Sequence, residues 1–96
     1  MADLRDKMEH AKELLTEILD EKVYRSVPIL AAEFQTEYPK EYLDYVVTFA
    51  NEYNLQGCGY RRGHINAIIT VLEEMEVAGR TEKIHEDGMV LWREKS

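Results

Sequence analysis

From Arg61 to Ile84 the chain reads RRGHINAIITVLEEMEVAGRTEKI, and HEDGMVLWREK, residues 85–95, follows without a break. Ile65, Ile68, Ile69, Leu72 and Met75 recur at three- and four-residue spacing, which puts them on one face of a helix. Gly79 stands just past that stripe, where a residue tolerant of positive φ ends a helix most easily. Beyond it the period changes from 3.6 to 2. RTEKI and MVLWRE flank Asp87-Gly88, a dipeptide suited to a two-residue hairpin turn because both central positions need positive φ. That turn sets Ile84 opposite Leu91 and Glu82 opposite Arg93, one apolar pair and one of opposite charge. A lone hairpin is marginal in water, so Ile84 and Leu91, with Trp92 as a further candidate, are expected to pack onto helices.

Upstream the pattern is helical. Leu4, Met8, Ala11, Leu14, Leu15, Ile18 and Leu19 form an apolar stripe opposite a charged face, predicting a helix from a cap at Asp3 to about Glu21. KVYRS is either a short extended piece or a bend. Ser26 before VPILAAEF reads as a helix start, its hydroxyl available to first-turn amides and Pro28 tolerated there. Pro39 ends that helix and opens a third, whose apolar side is Tyr42, Tyr45, Val46, Phe49, Ala50 and Tyr53. NLQGCGYRRG, residues 54–63, carries three glycines and reads as a loop.

The chain of 96 residues is long enough for one modest core. With 45% hydrophobic and 32% charged residues it sits in the ordinary globular range. No stretch approaches the roughly 18 apolar residues of a membrane span, and the N-terminus has neither the apolar run of a secretory signal nor the composition of a transit peptide. Cys58 is the single cysteine, so no internal disulfide forms. These features together point to the cytoplasm. The net charge of −7 is uneven: residues 1–59 hold six basic and twelve acidic side chains (6 − 12 = −6), residues 60–96 six and seven (6 − 7 = −1).

Helix, loop, helix ending in VLEEMEVAGR, then a hairpin closed by EDG and finished by LWRE: this order resembles the winged helix-turn-helix superfamily over about residues 39–96. The resemblance implies a mainly α fold with a C-terminal β-hairpin, an α+β, winged-helix-like domain of three to four helices. Residues 1–96 are then one domain, with an amphipathic helix in 1–25 and the helical core plus wing in 26–96. It also implies that the helix before the hairpin reads the DNA major groove while the hairpin, residues 80–95, touches backbone or minor groove.

The residues allow that chemistry. Asn66 is suited to an adenine edge, Ala67 or Thr70 to a thymine methyl, and Arg61, Arg62 and His64 stand at a helix N-terminus that itself favours anions. Arg80, Lys83 and Lys95 add positive charge on the hairpin. Glu73, Glu74 and Glu76 oppose phosphates near the helix C-terminus, which confines groove entry to the first two turns. The expected function is duplex DNA binding, in transcription regulation or an accessory DNA transaction, as a homodimer.

The alternative is a winged-helix module that binds protein alone, for which the charge is no obstacle. Leu4, Met8 and Leu15 on the first helix, and Tyr42 and Tyr45 on the third, are the expected dimer or partner surface. YRRGH is equally readable as a solvated loop paired with carboxylates, and the tyrosines as core. Cys58 and His64 lack zinc-site spacing, no cofactor motif is present, and no nucleophile, base and partner converge, so neither metal, cofactor nor catalysis is expected.

Overall fold

The computed structural model describes residues 4–52 and 60–95, and of residues 60–64 the backbone alone. The elements run α1 (Leu4–Ile18), β1 (Arg25–Ser26), α2 (Val27–Glu37), α3 (Pro39–Glu52), α4 (Tyr60–Val77), β2 (Thr81–Glu86) and β3 (Met89–Glu94). Four helices and a small antiparallel sheet make a mainly helical α+β arrangement.

α1 stops at Ile18, short of Glu21, because its end is occupied. The Arg25 guanidinium donates to the Ile18 carbonyl, and the Asp20 carboxylate takes the Lys22 amide at 2.8 Å, turning the chain. That turn delivers β1, the extended outcome of the KVYRS alternatives. Ser26 is the N-cap of α2 with extended backbone and proline in the first turn, but its side chain makes no capping hydrogen bond, contrary to the role expected of its hydroxyl. Asp3 lies outside the described residues.

α4 begins at Tyr60, so residues 60–63, expected in a loop, belong to the helix. Its C-terminus closes as the glycine predicts. Gly79 has φ +77°, its amide donates to the Glu76 carbonyl at 2.9 Å, and the Arg80 amide reaches the Met75 carbonyl at 2.8 Å. These two bonds satisfy carbonyls that a helix end leaves open.

β2 and β3 pair through Asp87 (φ 52°) and Gly88 (φ 77°), with Ile84 opposite Leu91 and Glu82 opposite Arg93 as expected. β1 adds a third strand on the far side of β3, Arg25 opposite Trp92, giving the order β1-β3-β2.

The core joins all four helices to one face of this sheet. Leu15, Leu30, Phe34, Val46, Ile68, Val71 and Leu72 are buried at its centre. Phe34 meets Tyr42 edge-to-face at 5.4 Å, a geometry aromatic pairs favour. From the sheet it is Trp92, 2% exposed, that enters the core; Ile84 and Leu91, expected there, remain half-exposed. Strand alternation is the reason. Trp92 shares its face with its cross-strand partner Lys83, and residues one position away point to the opposite side.

Met8 and Leu15, together with Tyr42 and Tyr45, expected on a dimer or partner surface, are buried in the chain's own core, and Leu4 packs half-buried against it. α1 lies against α2, α3 and α4, so its apolar stripe is already covered.

Candidate nucleic-acid interface

α4 is the helix on which the expected contacts converge. Its buried line is Ala67, Ile68, Val71, Leu72 and Met75, so its outward line is Asn66, Thr70, Glu73 and Val77. Asn66 and Glu73 are exposed, Thr70 is half-buried, and Val77 is 90% exposed. The Thr70 hydroxyl donates to the Asn66 carbonyl at 2.8 Å, a local bond typical of threonine in a helix. Ala67, expected to face a base, is fully buried instead. Its carbonyl accepts the Tyr45 hydroxyl at 2.6 Å, so it belongs to the contact that seats α4 on α3.

Two more contacts hold the helix. The buried Thr81 hydroxyl donates to the Leu72 carbonyl at 3.1 Å, tying α4 to β2. Glu74 receives Lys12 and Arg5 of α1, each at 2.8 Å. The Lys12 hydrogen bond, then that of Arg5, lowers the Glu74 carboxyl below the ordinary carboxylate range against a smaller opposing effect of burial. Glu76 pairs with Lys83 at 3.4 Å. Of the three carboxylates expected to repel phosphate, two are therefore matched by cations of the same chain, and Glu73 stands on the outward line.

The same pairing withdraws Lys83 from the expected interface. Its ammonium is held between Glu76 and the face of Trp92, 5.3 Å from the ring centroid, on the helix side of the sheet. Arg80 remains exposed while donating to the Thr16 hydroxyl at 2.7 Å. Exposed Lys95 lies beside it, its amide bonded to the Arg80 carbonyl at 3.0 Å.

Arg80 and Lys95 thus stand together at the hairpin base. They are at the opposite end of α4 from Arg61 and Arg62: 77 − 60 = 17 helical steps, about 26 Å of axial rise. The nine expected contacts are therefore not one patch. The hairpin tip carries exposed Glu86 and Asp87, which suit no phosphate. The side chains of Arg61, Arg62 and His64 lie outside the described residues, as does Cys58.

Sequence reasoning missed the apolar exposures on α3 and on the hairpin. Leu43 and Val47, four residues apart on α3, are 42% and 44% exposed on the side opposite its tyrosines. The hairpin leaves Met89, 51% exposed, beside Ile84 and Leu91. The four-residue spacing of Leu43 and Val47 was a visible signal. Which side of the hairpin faces the helices was not.

Among the described residues no group of His, Cys, Asp and Glu is arranged to hold a metal ion, and no helix is long and apolar enough to cross a membrane. No family model matches the chain, and neither does any curated protein or solved structure.

Proposed function

We propose that this chain binds duplex DNA through the outward face of α4, with a role in transcription regulation or another DNA transaction. The observation that carries the reading is the disposition of charge on α4. Glu74 and Glu76 are paired off against α1 and β2, while Asn66 and Thr70 are left on the outward line downstream of Arg61 and Arg62. The helix order and the small antiparallel sheet are compatible with a winged-helix layout. The contact set is Arg61, Arg62, His64, Asn66 and Thr70, with Arg80 and Lys95 as flanking phosphate ligands.

Fluorescence anisotropy against mixed-sequence duplex at low and near-physiological salt tests this. Binding is expected to weaken as salt rises, and Arg61→Ala/Arg62→Ala to reduce the log-log slope by about 1.8, two counterions at about 0.9 each. No binding by the wild-type chain at low salt refutes the reading. The second reading, a module that binds protein alone, is favoured by exposed Leu43 and Val47; an interface built on them is insensitive to salt.

A further inference from the structure

We propose that the outer face of the sheet is where a second copy of this chain docks. The inner face is spent on the core: Trp92 is buried, the Thr81 hydroxyl is bonded to α4, and Lys83 reaches Glu76. The residues between them point outward. Across β2 and β3 they form three rows: Glu82 with Arg93, Ile84 with Leu91, and Glu86 with Met89. The first row is organised, with Arg93 paired to Glu82 and its guanidinium over the Tyr24 ring, 4.5 Å from the centroid. The second and third expose apolar side chains that, among the described residues, do not join the core.

The first two of these rows are complementary to themselves. Two copies facing each other about a two-fold axis that runs along the strands, between β2 and β3, place β2 over the other copy's β3. Ile84 then lies over Leu91 of the second copy, and Glu82 over its Arg93, each contact occurring twice, as a two-fold interface requires. The apolar centre gains from burial and its charged row meets opposite charge. A strand of six residues is about 20 Å long and neighbouring strands lie about 4.8 Å apart. The face is thus a few hundred Å² per copy, below the roughly 800 Å² of a standard interface, which makes the expected dimer a weak, concentration-dependent one.

The test is sedimentation velocity of the full chain from about 5 μM to about 500 μM, a range wide enough to show a weak dimer dissociate, with amide chemical shifts followed on dilution. The expected result is a monomer–dimer equilibrium whose dilution shifts fall on residues 82–93. Leu91→Glu and Arg93→Glu each raise Kd at least about tenfold, since every lost contact counts twice, while leaving the far-UV spectrum of the dilute monomer unchanged. Glu82→Arg/Arg93→Glu recovers the dimer that Arg93→Glu alone loses, because the swap restores both the intrachain and the interchain pair.

A wild-type chain that stays monomeric across the range overturns the proposal. So does a dimer indifferent to Leu91→Glu and Arg93→Glu, or one whose shifts fall on α1 or on Leu43 and Val47 of α3.

Discussion

Replacing Trp92 by alanine, beside the same change at Leu91, puts the orientation of the hairpin to a quantitative test. The two residues are neighbours on β3, yet one is 2% exposed in the core and the other half-exposed on the outer face. Trp92→Ala removes the sheet's principal contribution to the core and the ring beneath Lys83. Large-to-small changes of this kind cost about 4 kcal/mol, a large share of the roughly 5–15 kcal/mol that holds a domain folded. With a urea m-value near 1.5 kcal/mol/M, the unfolding midpoint falls by about 2.7 M. Leu91→Ala removes side-chain area that is partly wet already, and in the dilute monomer it costs under about 1 kcal/mol. Urea titrations at a few micromolar, followed by far-UV circular dichroism because the variant lacks the only tryptophan, supply both midpoints. Equal losses at the two positions, or a larger one at Leu91, would refute the assignment of faces and with it the exposed apolar row.

Two further predictions concern α4. The Glu74 carboxyl is held below its unfolded value by Lys12 and Arg5, so its contribution to stability is present above the unfolded pKa and is lost as pH falls through the lower folded one. Glu74→Gln should flatten the acid limb of a thermal-midpoint profile taken from neutral pH downward, and an unchanged limb would show that the pair contributes nothing. Gly79→Ala should cost about 1 kcal/mol in urea unfolding, through the φ of +77° alone, since nothing lies within 4 Å of an added Cβ; a neutral or stabilising result would deny the left-handed helix stop.

What is legible in the sequence is what short-range chemistry dictates. Asp87-Gly88 specifies the turn, and the turn specifies the register, so the pairing of Ile84 with Leu91 follows from the dipeptide alone. The Gly79 stop and the entry of α2 at Ser26-Pro28 follow from backbone restrictions of the same kind. Long-range choices are not legible. Period-2 alternation shows that Trp92 and Leu91 face opposite ways but not which faces the helices. An apolar stripe on α1 looks the same whether a second molecule or the chain's own α2, α3 and α4 covers it. Asn66 and Ala67 are neighbours in the chain, and only the fold, with Ala67 buried and its carbonyl taken by the Tyr45 hydroxyl, shows where the boundary between inner and outer face falls. The cations are visible, but not that Lys12 and Lys83 answer Glu74 and Glu76 across the fold.

The pairing of β1 with β3 bears on how the chain is made. Arg25 finds its strand partner in Trp92, 92 − 25 = 67 residues later, and Arg5 meets Glu74 across a separation of 69. At about 5–20 residues per second a ribosome needs roughly 3–13 s to supply that partner. During this interval β1 has no strand to pair with, and for most of it the apolar stripe of α1 has only α2 and α3 to lie against. The hairpin, closed by its own turn, forms in microseconds once synthesised. The three-stranded sheet therefore waits on β3, and the four helices lack the ring that joins them to it until Trp92 arrives to dock.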